Sequence, residues 1–193
     1  MLNDNLIIPP LLYNELVLAG EQINFNMPSD LKTGSLIRTL VASKPRGRFL
    51  DIGAGTGLSL AWMADGSDNN ATITTIDNND VYQSIAKQAF INDKRITFIC
   101  DDGNNWLTAY KGDKFDLIFA DAMPGKFENL DIALNLVKPG GFYLIDDLLP
   151  QPNWGEDHPP KVKKLLETLQ QKKDFVSTTF NWSTGLILFT KTS

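Results

Sequence analysis

The sequence contains a single cysteine, Cys100, and a single histidine, His158, among its 193 residues. One cysteine cannot form an internal disulfide, which fits a protein of a reducing compartment. No apolar run approaches the ~20 residues that a transmembrane helix needs. Residues 1–10 lack the basic and apolar regions of a signal peptide. These absences predict a soluble, cytoplasmic protein with no membrane partner.

The sequence also lacks an excess of basic residues. Its 18 Lys and Arg are outnumbered by 23 Asp and Glu, which gives a net charge of −5. Nucleic acid is therefore a disfavoured partner, because sequence-independent binding depends on Lys and Arg at the phosphates; a local basic patch is still compatible with this composition. Apolar residues make up 42% and charged residues 21%, as in ordinary globular proteins, which excludes collagen, a coiled coil and wholesale disorder.

Short apolar segments alternate with helical patterns from residue 48 onward. The predicted strands are residues 48–52, 72–76, 95–100, 115–120, 142–145, 175–181 and 186–190. The predicted helices among them are residues 58–64, 81–91, 130–137 and 161–171, the third of which is ended by Pro139-Gly140. This alternation predicts an α/β fold with a mostly parallel sheet and helices on both faces. The short connection at residues 182–185 makes the last two strands an antiparallel hairpin.

The first 47 residues lack strand character and contain two helical patterns, at residues 11–23 and 31–43. Ser29-Asp30 supplies an N-cap for the second helix. We expect one domain over residues 1–193, in which residues 1–47 cover the open edge of a core formed by residues 48–193. An exposed helix pair of this kind would allow a homodimer.

A glycine-rich segment, Asp51-Ile52-Gly53-Ala54-Gly55-Thr56-Gly57, follows the first strand and opens a helix. Glycine lets the backbone turn tightly and approach a ligand, and open α/β sheets bind ligands at the carboxyl ends of their strands. The spacing is G-x-G-x-G, whereas the dinucleotide fingerprint is G-x-G-x-x-G. The acid before the loop suits a cationic ligand, and Asp77, at the end of the second strand, can accept hydrogen bonds from ribose hydroxyls. The alternative is a structural turn that binds nothing.

Residues 49–59, with Asp77 after them, resemble the first two motifs of class I S-adenosylmethionine-dependent methyltransferases. The resemblance extends over roughly residues 27–190 and is greatest to the small O-methyltransferases of the catechol and caffeoyl-CoA type, since Met27 and Gly34-Ser35-Leu36 stand upstream at matching spacing. It implies a Rossmann-like seven-stranded sheet whose last strand is antiparallel, with S-adenosylmethionine as cofactor. The cofactor-binding residues that it implies are Met27, Asp51, Gly53, Ala54, Gly55, Thr56, Gly57, Asp77, Asn78, Asp101, Asp102, Gly103 and Asp121.

Within that set, the resemblance implies distinct roles for four carboxylates. Asp51 would lie near the methionine moiety and Asp77 on the ribose. Either Asp101 or Asp102 would meet the adenine amino group, and Asp101 is the preferred candidate.

Three carboxylates follow two neighbouring strands: Asp121 after the fourth strand, and Asp146 and Asp147 after the fifth. Like charges at one sheet edge raise each other's pKa or need a cation, and hard oxygen ligands suit Mg²⁺ or Ca²⁺. The O-methyltransferases that this sequence resembles carry a divalent metal on an Asp and an Asp-Asn pair at these places. We therefore predict that Asp121, Asp146 and Asp147 bind Mg²⁺, Ca²⁺ or Mn²⁺. The alternative is that Asp121 only contacts cofactor or substrate and the pair caps a loop.

The catalytic base departs from the family pattern. Catechol-type enzymes have a lysine three residues after the fourth-strand Asp, where this sequence has Pro124. Lys126 is the nearest candidate, although it also reads as a solvated lysine at a helix start. His158, in the proline-rich loop 148–160, is the second candidate because histidine titrates near neutral pH; the alternative is an exposed loop histidine. Trp154 in the same loop fits a pocket wall or a packing residue.

These features together predict an S-adenosylmethionine-dependent O-methyltransferase that acts on a small phenolic or catechol-like substrate with the help of a divalent metal. Three alternatives stay open at this point. They are a metal-independent methyltransferase on the same fold, a tRNA hydroxyuridine O-methyltransferase, and a protein that binds the cofactor without catalysis. A nicotinamide-dependent oxidoreductase is less compatible with the glycine spacing.

Overall fold

A seven-stranded sheet forms the centre of the computed structural model, which describes residues 6–152 and 154–193. The first five residues of the predicted N-terminal cover, and Asn153 of the proline-rich loop, lie outside the described part. The strands are β1 (Arg48–Ile52), β2 (Thr72–Asp77), β3 (Ile96–Cys100), β4 (Phe115–Ala120), β5 (Val137–Ile145), β6 (Phe175–Phe180) and β7 (Leu186–Lys191).

The order across the sheet is β3-β2-β1-β4-β5-β7-β6. Strands β1 to β5 pair in parallel, and β7 runs antiparallel to both β5 and β6. The predicted mostly parallel sheet with an antiparallel last strand is therefore confirmed. The strand order reverses between β1 and β4, which is where open α/β sheets bind ligands.

Eight helices flank the sheet in the described residues. They are α1 (Tyr13–Gln22), α2 (Leu31–Ala42), α3 (Leu58–Gly66), α4 (Asp80–Ala89), α5 (Gly103–Ala109), α6 (Met123–Lys126), α7 (Leu130–Asn135) and α8 (His158–Leu169). Sequence patterns do not predict α5 and α6, which have seven and four residues. In the part of the chain that the structure describes, no helix is both long enough and apolar enough to cross a membrane.

The prediction that Pro139-Gly140 ends the helix before β5 is wrong. The helix ends at Asn135, and both residues lie inside β5. The register between β4 and β5 shifts here, since Phe115 is opposite Val137 whereas Leu117 is opposite Phe142. Such an irregularity accommodates proline, which has no N–H to donate to a neighbouring strand.

Two apolar clusters, one on each face of the sheet, form the core. Trp62, Phe49 and Leu60 belong to one cluster, and Tyr143 and Phe115 belong to the other; none is more than 1% exposed. Both faces of the sheet are therefore covered, and the carboxyl ends of its parallel strands lie along one edge.

The N-terminal cover packs mainly on helices. α2 contacts α3 and β4, and α1 contacts α3 and α4. The N-cap prediction for α2 is confirmed, because the Asp30 carboxylate accepts hydrogen bonds from the backbone N–H groups of Lys32 and Thr33, at 2.6 and 3.1 Å. The cover thus brings residues 23–30 to the side of the glycine loop.

Candidate active site at the carboxyl ends of the strands

The glycine loop connects β1 to α3 at the point where the strand order reverses. Gly53, Gly55 and Gly57 all adopt positive φ angles, of +94°, +51° and +100°, a backbone region that favours glycine. The loop is held by the neighbouring strand, because the Gly53 N–H donates to the carbonyl of Ile76 at 2.9 Å and the Ala54 N–H donates to the same carbonyl at 3.3 Å. The loop is therefore a fixed element of the site.

Asp77, at the end of β2, is hydrogen-bonded to this loop. One carboxylate oxygen accepts the Gly55 N–H at 2.8 Å, and the other accepts the Asn79 N–H at 2.8 Å. The side chain is only partly buried, so it still faces the space beside the loop. Asn78, which follows it, is exposed. In this position the Asp77 carboxylate can accept hydrogen bonds from the hydroxyl groups of a ligand.

Asp51 lies one strand further in and is completely buried. Its carboxyl group accepts hydrogen bonds from the hydroxyls of Ser59, at 3.1 and 3.2 Å, and Thr75, at 3.3 Å. Burial raises the pKa of Asp51 to about 7, although the two hydroxyl donors oppose that rise. In this structure Asp51 therefore links β1, β2 and α3 from beneath the loop.

A cavity of about 1090 Å³ opens between α1, residues 25–32, the glycine loop and the β6–β7 connection. Its walls include Tyr13, Val17, Phe25, Asp30, Thr56 and Thr184. The Thr56 hydroxyl is buried and has no hydrogen-bond partner in the described part of the chain. A buried hydroxyl without a partner is costly, so this group fits a ligand that would supply one.

Phe25 is a site residue that the sequence does not indicate. Its ring packs against Gly55 and meets the Tyr82 ring edge to face, with the ring centroids 4.9 Å apart. The segment around Phe25 has no regular secondary structure, so no periodic signal marks it. Met27, the residue predicted from the resemblance, is 56% exposed, whereas its neighbours Asn26 and Pro28 line the cavity.

The two acidic residues after β3, Asp101 and Asp102, make different contacts. Asp102 is the N-cap of α5, and one of its oxygens accepts the N–H groups of Asn104 and Asn105 at 2.7 and 3.2 Å. Asp101 is exposed and accepts only the neighbouring Asp102 N–H among the hydrogen bonds of the described residues. This arrangement favours Asp101 as the carboxylate that meets a ligand. Gly103 is buried, and a Cβ there would lie 2.9 Å from Pro124 Cβ.

The carboxylates after β4 and β5 have perturbed acidity. Burial, followed by the nearby charge of Asp146, raises the pKa of Asp121 well above its usual range. Burial also raises the pKa of Asp146 to about 6, against the effect of its hydrogen bonds from the Thr184 hydroxyl and the Asp147 N–H. Two of the three predicted metal ligands are thus close enough to repel each other.

The third carboxylate, Asp147, faces a different set of groups. Its two oxygens accept the Trp154 indole N–H at 3.2 and 3.0 Å. Its Oδ2 lies 3.8 Å from Lys126 Nζ and 3.8 Å from His158 Nε2. Within residues 6–152 and 154–193, no three His, Cys, Asp or Glu side chains form a group that could hold a metal ion. The side chains as they lie do not fit the predicted divalent metal.

Lys126 is not the solvated lysine that its place near a helix suggests. The residue is only 3% exposed. Its Nζ donates to the Asp147 carbonyl at 3.1 Å and lies 4.9 Å from the centre of the Phe127 ring. Lys126 therefore belongs to the interior of the site.

His158 is the first residue of α8 and is likewise not an exposed loop side chain. Its ring lies between Trp154 and Phe127, with centroid distances of 4.2 and 5.1 Å. Burial and the nearby Lys126 charge lower the pKa of His158, so that the neutral imidazole is favoured. Its Nε2 is buried and has no hydrogen-bond partner in the described part of the chain. A neutral imidazole of this kind can accept a proton.

A family model described as O-methyltransferase matches residues 12–178. A Mycobacterium sp. (strain JLS) protein, provisionally named an O-methyltransferase, is 29% identical over 117 residues, which cover 58% of this chain and 53% of that protein. The chain therefore spans about half the length of the curated relatives that it matches.

Solved structures share the fold. The O-methyltransferase TomG from Streptomyces achromogenes, solved with S-adenosylmethionine, superposes with a TM-score of 0.84 at 20% identity, covering 97% of this chain and 92% of that one. A Bacillus cereus O-methyltransferase, solved with S-adenosylhomocysteine, gives a TM-score of 0.81 at 18% identity over 97% of this chain and 94% of that one. At these identities the likeness establishes the fold.

Proposed function

The chain belongs to the O-methyltransferase family, and on that premise we propose that it transfers the methyl group of S-adenosylmethionine to an oxygen of a small hydroxylated, phenolic or catechol-like substrate. The observation that carries the proposal is the glycine loop fastened to Asp77 beside the cavity of about 1090 Å³. That volume is at the upper end of the range for ligand pockets, about 300–1,000 Å³, which supports a ligand site beside the loop.

The residues around the cavity and the glycine loop fit the cofactor. The Asp77 carboxylate is placed to accept ribose hydroxyls, and Asp101, at the end of β3, is placed to meet an adenine amino group. The Thr56 hydroxyl, which has no hydrogen-bond partner among the described residues, lines the cavity. When bound, S-adenosylmethionine supplies a methyl group already activated by its sulfonium. The protein then mainly aligns the acceptor oxygen, which is worth up to ~7–11 kcal/mol of the barrier.

We assign proton removal from the acceptor hydroxyl to His158. Its Nε2 is buried without a partner in the described part of the chain, and the imidazole is held between two aromatic rings. Lys126, the other predicted base, already donates a hydrogen bond to the Asp147 carbonyl and faces three carboxylates. Proton transfer therefore does not require Lys126 to leave its partners. Metal assistance through Asp121, Asp146 and Asp147 stays a prediction of the sequence and enters no step here.

Two experiments, done one after the other, test the proposal. Isothermal titration should show S-adenosylhomocysteine binding and no NADH binding; the reverse would indicate an oxidoreductase. A panel of phenols and catechols, assayed with S-adenosylmethionine, should then contain an acceptor. If the protein binds the cofactor but methylates no acceptor, it is a cofactor-binding protein without catalysis. If it methylates a tRNA hydroxyuridine instead, the substrate is RNA and not a small phenol. The single-domain organisation, the cytoplasmic location and a homodimer stay predictions.

The role of His158 has its own test. His158→Gln should lower kcat by roughly 10²–10⁴-fold, the usual size of a general-base contribution, with unchanged S-adenosylhomocysteine affinity. Lys163→Gln, an exposed change on the same helix, is the matched control and should leave kcat unaltered. Full activity in His158→Gln would show that His158 does not remove the proton from the acceptor.

A further inference from the structure

A buried ammonium group stands beside the three carboxylates that follow β4 and β5. The carboxylates whose charges act on Lys126 are Asp121, Asp147 and Asp146. We infer that Lys126 is the built-in cation of this carboxylate cluster, that it takes the place of a divalent metal, and that the protein binds no divalent ion there. The inference rests on the proposed function only for its effect on turnover; the charge replacement can be tested without any substrate.

The backbone around Lys126 is built to bring its amine inward. Pro124 and Gly125 have non-helical backbone angles inside α6, and Gly125 adopts a φ of +79°. A Cβ at Gly125 would lie 2.9 Å from Tyr143 Oη, and that hydroxyl donates to the Gly125 carbonyl at 2.6 Å. The turn is therefore anchored to the core from β5. Its next residue, Lys126, is consequently directed into the site and not into solvent.

Burial lowers the pKa of the Lys126 amine, and the charges of Asp121, Asp147 and Asp146 oppose that fall. A lysine that is 3% exposed needs ionic or hydrogen-bonding partners, since an isolated buried ammonium is very costly. Lys126 Nζ has the Asp147 carbonyl at 3.1 Å and Asp147 Oδ2 at 3.8 Å. Lys126 Nζ also lies over the face of the Phe127 ring, 4.9 Å from its centre, which adds a cation–π contact.

The same arrangement is unfavourable for a metal. Asp147 turns both oxygens toward the Trp154 indole N–H, so its carboxylate is committed to a side chain on the following loop. A divalent ion brought to these carboxylates would also meet the Lys126 charge at short range, in surroundings that screen it poorly. Donor geometry and like-charge repulsion thus act in the same direction.

Manganese titration of the EDTA-treated protein, with and without S-adenosylhomocysteine, tests the inference directly. We expect no heat and no change in the Mn²⁺ electron paramagnetic resonance signal for the wild type at millimolar Mn²⁺. Lys126→Met removes the charge at similar length and should bind Mn²⁺ at least about tenfold more tightly than the wild type, because the repulsion is gone. Lys126→Arg keeps the charge and should not bind.

Lys138→Met is the matched control. Lys138 pairs with Asp116 at 2.7 Å near the start of β5, away from the carboxylate cluster, and its loss should leave Mn²⁺ binding absent. Circular dichroism establishes whether each variant is folded; if Lys126→Met is not, the wild-type and Lys126→Arg titrations decide.

Two outcomes would overturn the inference. One is Mn²⁺ binding by the wild type that Asp121→Asn or Asp146→Asn abolishes. The other is a folded Lys126→Met that gains no Mn²⁺ affinity. Turnover by the wild type that survives EDTA would agree with the inference, whereas failure to bind S-adenosylhomocysteine would count against the proposed function alone.

Discussion

The ring of Phe25 rests on Gly55, so closely that a Cβ at position 55 would lie 2.6 Å from Phe25 Cζ. This contact joins the N-terminal segment to the glycine loop of the sheet. Gly55 is needed here for two separate reasons, its φ of +51° and the space taken by the ring. The two reasons can be separated by mutation.

Gly55→Ala should lower the free energy of unfolding by more than Gly140→Ala does. Gly140 also has a positive φ, of +74°, but a Cβ added there would meet no atom within 4 Å, so its substitution reports backbone strain alone. We expect about 1–2 kcal/mol for strain and a further 1–3 kcal/mol, roughly, for the clash at Gly55. Urea unfolding measures both. Equal losses at the two positions would show that Phe25 moves aside freely.

Asp77→Ala should weaken S-adenosylhomocysteine binding roughly 10- to 100-fold, because charge-assisted hydrogen bonds contribute about 1.5–3 kcal/mol. The change removes the proposed ribose contact and the bond from Gly55 N–H that orders the loop. Asp80→Ala is the control, since Asp80 is exposed and its carboxylate lies 3.6 Å from Lys87. Isothermal titration calorimetry compares the two. Equal affinities would mean that Asp77 does not contact the cofactor.

The sheet could be predicted because each strand is a local feature. Residues 115–120 form a continuous apolar run of the kind a doubly covered parallel strand needs, and β4 occupies those residues. The glycine spacing likewise predicts the loop after β1. α5 escapes prediction because capping, not periodicity, marks its start: it begins where Asp102 accepts the N–H groups of Asn104 and Asn105.

The interior of the candidate site could not be predicted, because it depends on contacts between distant residues. Lys126 follows a proline and a glycine, a pattern typical of an exposed turn, yet the Tyr143 hydroxyl donates to the Gly125 carbonyl and directs the lysine inward. Phe25 reaches Gly55 only because α1 packs on α3 and α4. Sequence spacing carries no record of either contact.

The free energy of unfolding should fall as the pH rises from about 4 to 7, partly because of Asp51. Its pKa is raised to about 7 in the folded protein and is about 3.9 in an unfolded chain, so the folded state holds a proton that the unfolded state has lost. Stability from this group is complete below the lower pKa and is lost as the pH passes the higher one, at up to about 1.4 kcal/mol per unit.

Asp51→Asn removes this titration and should flatten the decline. Urea unfolding at several pH values measures it, with Glu167→Gln, an exposed change on α8, as the control that should follow the wild type. A variant curve as steep as the wild-type curve would assign the decline to other groups.

Gly34→Ala should destabilise the protein although alanine is the better helix former. In the interior of an exposed helix this substitution gains roughly 0.5–1 kcal/mol. Here a Cβ would lie 2.1 Å from Trp62 Nε1, and Trp62 is completely buried. We expect a net loss of about 1–3 kcal/mol, typical of overpacking, in urea unfolding.

Two further variants isolate the contact between Gly34 and Trp62 as the cause of that loss. Thr39→Ala, an exposed change on the same helix, should stay within ~0.5 kcal/mol of the wild type, as most surface substitutions do. In Trp62→Phe, which lacks the indole nitrogen, the added cost of Gly34→Ala should shrink because the ring atoms nearest to the new Cβ are gone. An unchanged cost in that background would show that the helix and not the indole opposes alanine.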